Sequence, residues 1–164
     1  MKVLIGLCLM SALNVGSPTA PDCNKWQGQV DPSVVYSGMN PVVSKVSAEE
    51  KVRAISCLME LEGRSGTAKF GGATRLDVSK ILPEPSVEIA ALFYIRFLYL
   101  AKWDHCNGIA LMDKNGEMNT SAAVKKAYAS YKMWFENVKV MGIDEARAKG
   151  IDPMDGCKDE VRWY

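Results

Sequence analysis

The sequence predicts a mostly α-helical domain, a small disulfide-stabilised bundle of about four helices. Three observations favour this class: two long segments repeat apolar residues at helical spacing, a third is apolar around most of its circumference, and strand signals are short. An irregular N-terminal segment, residues 21–46, belongs to one domain with a helical part, residues 47–164. Once an expected leader of 20 residues is removed, 144 of the 164 residues remain, enough for one core.

Residues 1–20 have the layout of a cleavable signal peptide. Lys2 provides a positive start, Val3 to Leu13 form an apolar run, and small residues follow up to Ala20. The run is too short to cross a bilayer, which takes about 20 apolar residues. Prolines on both sides of the expected cut suit cleavage poorly, and a buried N-terminal helix or strand is the alternative. We expect an exported protein, periplasmic or extracellular, without a membrane span after removal of the signal.

The cysteine count becomes even when the leader, with Cys8, is removed. The remaining cysteines are Cys23, Cys57, Cys106 and Cys157. Four cysteines in an exported chain predict two disulfides with three possible connectivities. We expect Cys23–Cys157, joining the two ends, and Cys57–Cys106, joining the first long helix to the end of the core helix. The wide cysteine spacing and the single histidine argue against zinc, so we predict no metal site and no cofactor.

The first amphipathic helix begins at Ser47. Its hydroxyl can cap the free amides while Glu50 reaches back, which is the capping-box arrangement. Apolar residues recur at helical spacing up to Leu61, and Gly63 can end the helix in a left-handed conformation. Residues 63–82 form a Gly-rich connection that lacks the Gly-Lys-Ser/Thr ending of a phosphate-binding loop, and we interpret it as an Ω-type loop.

The most apolar segment, Val87 to Trp103, is predicted to be the core helix. Arg96 interrupts it, and an unpaired buried charge costs on the order of 3–5 kcal/mol when its partner is removed. We expect a buried ion pair between Arg96 and Glu60 or Glu62. The alternative is that the long Arg96 side chain extends to water.

A turn and a second long helix follow. Asn115-Gly116 is a strong turn signal and allows a short β-hairpin near residues 109–119. Asn119, Thr120 or Ser121 can cap the helix, and the same three residues match an N-glycosylation sequon. The predicted inner face comprises Val124, Ala127, Tyr128, Tyr131, Phe135 and Val138, and the solvent face comprises Lys125, Lys126, Lys132, Glu136 and Lys139. Gly142 ends this helix, and a shorter one runs from Asp144 to Lys149.

The charge balance narrows the class of partner. Without Lys2 the chain has 19 basic and 19 acidic residues. Binding to nucleic acid or to an anionic membrane requires a clustered excess of positive charge, so neither is expected. We predict a protein as the partner, with a glycan or a small molecule as alternatives.

The residues near the two ends form the predicted binding site. Trp26 and Trp163 lie in irregular segments, three residues after Cys23 and six after Cys157. A Cys23–Cys157 disulfide would bring both indoles together with Arg162 and Tyr164, a composition typical of a binding hot spot. The alternative is that the tryptophans cover the core.

No catalytic set is assembled in the sequence. The single histidine, His105, adjoins Cys106, but neighbouring side chains on a helix diverge by about 100°. We therefore predict a protein that acts by binding, an inhibitor or immunity-type protein that blocks a partner protein. One alternative is a small glycan-cleaving hydrolase that uses the acids Glu60, Glu62 and Asp77. Another is a small-ligand carrier with a pocket built on Phe93, Phe97, Tyr128 and Tyr131.

Overall fold

The computed structural model of the chain describes residues 22–38, 41–69, 84–100 and 109–164. The elements in these ranges are, in order, α1 (Asn24–Gln27), a 3-10 turn (Val43–Lys45), α2 (Ala48–Met59), α3 (Val87–Leu100), β1 (Leu111–Asp113), α4 (Ser121–Met141), α5 (Ile143–Ala148) and β2 (Val161–Trp163). About half of the described residues are helical, which confirms the mostly α class. Five α-helices, rather than about four, lie in the described ranges. None of them is long and apolar enough to cross a membrane.

The short α1 packs on the long α2, and α2 begins at the predicted cap. The Ser47 hydroxyl accepts a hydrogen bond from the Glu50 amide at 3.2 Å. The Glu50 carboxylate accepts from Lys25 Nζ at 2.5 Å and so joins α2 to α1. Only the Ser47 half of the predicted capping box is therefore seen. Gly63, at φ +80°, follows the turns after Met59 and adopts the predicted left-handed conformation.

The described part of the N-terminal segment is irregular apart from α1 and the 3-10 turn. Residues 34–36 are two valines and a tyrosine, types that are common in strands, but they form no strand.

Helix α3 lies in the core, as the apolar sequence predicts, and packs against α2, α4 and α5. Ten of its fourteen residues are buried. Tyr99 fixes its last turn: the hydroxyl donates to the Ile151 carbonyl at 2.6 Å, and the Tyr99 carbonyl accepts from Arg147 Nε at 2.8 Å. The rest of the predicted core helix, which includes Trp103, lies outside the described residues, as does His105.

Helix α4 presents the predicted faces. All six residues of the predicted inner face are buried, and all five of the predicted solvent face are exposed. The Thr120 hydroxyl caps the helix by accepting from the Ala123 amide at 3.2 Å. Gly142, at φ +90°, ends it, and α5 follows at Ile143, one residue earlier than expected.

Strands β1 and β2 form an antiparallel ribbon in which Leu111 lies opposite Trp163, Met112 opposite Arg162 and Asp113 opposite Val161. The predicted turn follows β1, with Gly116 at φ +85°, and an isolated bridge joins Met112 to Met118. The strand partner of β1 nevertheless comes from near the other end of the domain. The turn is a local signal, whereas the pairing with β2 depends on how the helices bring residue 161 back to residue 113.

The disulfide joins Cys23 to Cys57. Both predicted pairings, Cys23–Cys157 and Cys57–Cys106, are therefore wrong. The packing of α1 on α2 explains the difference, because it places the Cα atoms of Cys23 and Cys57 5.2 Å apart. Cys157 is a buried free thiol, and burial raises its pKa. Cys106 lies outside the described residues.

A candidate binding surface around the ribbon

Trp26 lies in the core rather than on a surface. Its side chain is 3% exposed, and Lys25 Nζ lies 4.9 Å from the ring centroid. The expectation that Trp26 meets Trp163 depended on a Cys23–Cys157 disulfide, which the structure replaces with Cys23–Cys57. The candidate surface consequently contains the other three predicted residues, Arg162, Trp163 and Tyr164, which are consecutive in the chain.

The residues of β2 and Tyr164, which follows it, alternate between the core and the solvent. Val161 is buried and Trp163 half-buried, whereas Arg162 and Tyr164 are exposed. Trp163 Nε1 donates to the Tyr131 hydroxyl at 3.1 Å, and its ring meets Phe93 edge-on with centroids 6.0 Å apart. The strand is therefore anchored on one face and presents an arginine and a tyrosine on the other.

Three clefts that are lined by described residues adjoin the ribbon. The largest, of about 510 Å³, lies between the turn after β1 and residues 158–162. A second, of about 170 Å³, lies between that turn and the start of α4. A third, of about 290 Å³, is lined by β2 together with Arg96, Asp152, Met154 and Lys158. We call the ribbon surface the set of exposed or half-buried residues Asp113, Lys114, Asn115, Lys158, Arg162 and Tyr164, which line these clefts.

Hydrogen bonds and an ion pair hold the walls of the two clefts next to the turn. Asp113 Oδ1 accepts from the amides of Asn115 and Glu117 at 2.8 and 3.0 Å, which orders the turn. On the opposite wall Glu160 pairs with Lys126 of α4. The hydrogen bond and the charge of Lys126 lower the pKa of Glu160. The ribbon surface is therefore supported by α4 and by its own turn.

Arg162 separates the largest cleft from the third, since it lines both. Its Nη2 atom lies 3.6 Å from the sulfur of Met112 on the neighbouring strand. Arg162 forms no ion pair within the described part of the chain. Its exposed positive charge is therefore available to a ligand.

The acids of the hydrolase alternative are engaged with different neighbours. Glu60 accepts from Gln27 Nε2 at 3.1 Å, and Glu62 pairs with Lys132 at 2.5 Å. Neither lines a ribbon cleft, and Asp77 lies outside the described residues. The predicted pairing of Arg96 with Glu60 or Glu62 is not among the ion pairs between described residues. The half-buried Arg96 lines the third cleft.

The aromatic residues of the carrier alternative pack into the core. Phe93, Tyr128 and Tyr131 are buried and Phe97 is half-buried. The Tyr128 hydroxyl donates to the Glu88 carbonyl at 3.0 Å, and burial raises the pKa of Tyr128 far above its ordinary value. None of the four lines a ribbon cleft. In the described ranges, no group of three or more His, Cys, Asp or Glu side chains could hold a metal ion.

The residues of the turn and of the segment before β2 were not predicted as site residues. Asp113, Lys114 and Lys158 belong to the surface only because β1 pairs with β2. The turn itself has a clear sequence signal, but no local pattern connects it to residues more than forty positions later.

Comparison of the chain with protein-family models, with curated proteins and with solved structures gives no match.

Proposed function

We propose that the protein is exported and acts by binding a partner protein through the ribbon surface, as an inhibitor or immunity-type protein that blocks this partner. The observation that carries the proposal is the exposure of Arg162 and Tyr164 on either side of Trp163, which anchors β2 to the core. Arginine and tyrosine are enriched among the residues that dominate binding energies. A rigid support reduces the entropy lost when such side chains are ordered on binding.

The charged side chains that line the largest cleft favour a protein over a small molecule. Small-molecule sites are mostly apolar, with a few polar groups. The largest cleft is instead lined by charged and polar residues from both walls, including Asp113, Lys158 and Arg162. Protein interfaces combine a few arginine and aromatic side chains with a polar, solvent-accessible rim, and this surface has both.

Export is supported by the signal-like leader together with the Cys23–Cys57 disulfide. Disulfides form and persist in oxidising compartments. The test is to determine the N-terminal sequence of the protein recovered outside the cytoplasm. We expect protein that lacks the leader and therefore lacks Cys8, and retention of Cys8 in that material would contradict export by a cleaved signal.

The binding proposal can be tested by photo-crosslinking. A benzoylphenylalanine at position 164, in the chain produced with its leader in the source cell, should form a crosslink to one protein. The double variant Arg162→Ala/Tyr164→Ala should weaken binding of that protein, once purified, by about ten-fold or more, as expected for hot-spot residues.

The matched control is Arg53→Ala/Val140→Ala, which removes an exposed arginine and an exposed apolar residue that line no ribbon cleft. This variant should bind the partner as the wild type does. Equal binding by the Arg162/Tyr164 double variant would overturn the proposal.

A further inference from the structure

The two edges of the ribbon differ. The outer edge of β1 is closed by its own turn: the Leu111 amide donates to Asn119 Oδ1 at 2.9 Å, and the Leu111 carbonyl accepts from the Asn119 amide at 2.7 Å. The Asp113 amide donates to the Glu117 carbonyl at 2.9 Å. No further strand can pair with this edge without breaking these bonds.

The outer edge of β2 is open. The Tyr164 amide donates to the Ala110 carbonyl at 3.0 Å, so the peptide groups of Arg162 and Tyr164 face β1 and those of Val161 and Trp163 face outward. The Val161 amide donates a hydrogen bond to the Cys157 carbonyl at 2.8 Å. The Trp163 amide and the carbonyls of Val161 and Trp163 form no hydrogen bond in the described structure. Such an edge is a template for another strand.

A cleft and the exposed positive charge of Arg162 lie along this edge. The cleft of about 290 Å³ is lined by all four residues from Val161 to Tyr164 and by no residue of β1, so it lies on the open side of β2. The cleft is lined by Arg162, which forms no ion pair in the described ranges, by Lys158, which pairs with Asp155 at 3.6 Å, and by Asp152. The volume of the cleft leaves space for a ligand, and the positive charge of Arg162 favours an acidic one.

We propose that the open edge of β2 binds an extended acidic segment of the partner protein as an added strand, with the pattern apolar–acidic–apolar. This inference rests on the proposed function and names the class of segment that the ribbon recognises. In antiparallel pairing, a residue opposite Trp163 exchanges two hydrogen bonds with it, and a residue opposite Val161 donates to the Val161 carbonyl.

The side-chain pattern follows from the register. The residue opposite Arg162 occupies a non-hydrogen-bonded position, where Cα atoms approach to about 4.5 Å and an opposite charge is favourable. Its two neighbours lie on the face of Val161 and Trp163, so apolar side chains there cover the half-buried indole of Trp163. Arg162 therefore selects an acidic residue in the partner segment, and the two apolar residues of that segment bury Trp163.

Amide hydrogen exchange tests the added strand directly. The probe is the capped pentapeptide acetyl-Thr-Val-Glu-Val-Thr-amide, added to the isotope-labelled mature chain. In the free protein the Trp163 amide should exchange faster than the amides of Arg162 and Tyr164, which face β1. A saturating concentration of the peptide should slow Trp163 exchange about ten-fold or more, and unchanged Trp163 exchange at saturation would overturn the proposal.

Matched peptides separate backbone pairing from charge attraction. N-methylation of either valine should abolish binding because these amides face β2, whereas N-methylation of the glutamate should leave it intact. Replacing the glutamate with threonine should weaken binding about five-fold, the effect of one cross-strand charge pair. The variant Arg162→Glu should prefer the peptide with lysine in place of glutamate. Equal effects of the three N-methyl groups would contradict an added strand.

The two proposals fail separately. If the crosslinked partner still depends on Arg162 and Tyr164 but the peptides leave Trp163 unprotected, the added strand is wrong and the binding function stands. If partner binding is insensitive to Arg162 and Tyr164, the proposed function itself is wrong.

Discussion

Trp163 is one of the residues, with the buried Leu111 and Val161, through which the ribbon is attached to the core. Its indole meets Phe93 edge-on and donates to the Tyr131 hydroxyl, while its backbone belongs to the open edge of β2. The side chain of Trp163 therefore packs against the core, while its main-chain amide is an unpaired hydrogen-bond donor. Such a combination is what a rigid recognition strand requires.

Tyr131→Phe should destabilise the fold by about 1 kcal/mol, because the Trp163 Nε1 donor loses its acceptor while the ring is kept. The measurement is the free energy of unfolding in urea. Tyr164→Phe is the control: Tyr164 is exposed, its hydroxyl has no hydrogen bond in the described structure, and its removal should leave stability unchanged. Equal losses in both variants would contradict an anchoring role for the hydrogen bond.

Asp31 is a buried carboxylate near the start of the domain. Burial alone would raise its pKa, but hydrogen bonds from the Ser33 hydroxyl and amide, with the charges of Arg64 and Lys69, outweigh burial and lower the pKa below its ordinary value of 3.8. Because the folded-state pKa is lower than the unfolded one, ionised Asp31 stabilises the fold above the unfolded pKa. This contribution disappears as the pH falls through the folded-state pKa.

Asp31→Asn should therefore lower the free energy of unfolding at neutral pH and flatten its decline as the pH falls below about 4. Urea unfolding at a series of pH values measures both effects. Asp159→Asn, which removes an exposed carboxylate, serves as the control and should retain the wild-type pH slope. An unchanged acid slope in Asp31→Asn would exclude Asp31 as a source of acid sensitivity.

At the scale of the elements, α1 and α2 form one unit. The Cys23–Cys57 disulfide, the Lys25–Glu50 ion pair and the hydrogen bond of Gln27 Nε2 to the Cys57 carbonyl at 2.9 Å all connect them. The four-residue α1 is too short to be stable by itself. Its helical form depends on these contacts with α2.

The start of α2 can be tested by removing its cap. Ser47→Ala should cost about 1 kcal/mol, since the Glu50 amide loses the hydroxyl that accepts its hydrogen bond. Thermal and urea unfolding measure the loss. Ser56→Ala changes an exposed serine within the same helix and should be neutral or slightly stabilising, because alanine is the better helix former. A comparable loss at both positions would show that the hydroxyl of Ser47 is not acting as a cap.

The described part of the chain contains one disulfide, which contributes to the stability of the whole domain. The Cys23–Cys57 disulfide spans 34 positions. Closing a loop of this length in the unfolded chain should stabilise the fold by about 3–4 kcal/mol. The disulfide constrains the N-terminal segment and α2. The ribbon lies later in the sequence and contains no disulfide in the described structure.

Cys23→Ala/Cys57→Ala should lower the free energy of unfolding by about this amount, whereas Cys157→Ala should cost only about 1 kcal/mol, typical of a single buried change. Peptide mapping without reduction should recover Cys23 linked to Cys57, with Cys157 alkylated only after unfolding because it is a buried thiol. Recovery of a Cys23–Cys157 peptide would contradict this connectivity.

The long helices could be predicted because their signals are local, whereas the short α1 lies in a segment that was predicted to be irregular. The Ser47 cap, the alternation of faces along α4 and the stop at Gly142 depend on residues within about one helical turn of each other. The proposed binding residues Arg162 and Tyr164 could also be named from the sequence, because arginine and aromatic residues have the composition of a binding hot spot. Their setting could not, because it depends on β1.

The sequence alone was sufficient to predict the mostly α class, the start of α2 at Ser47, the end of α4 at Gly142 and the buried face of α4, since each follows from spacing along a single segment. Tertiary structure alone decided that Cys23 pairs with Cys57, that Trp26 is buried, and that β2 pairs with β1 and leaves an open edge. Such contacts join residues tens of positions apart. They depend on how the helices pack against one another, which no local pattern in the sequence encodes.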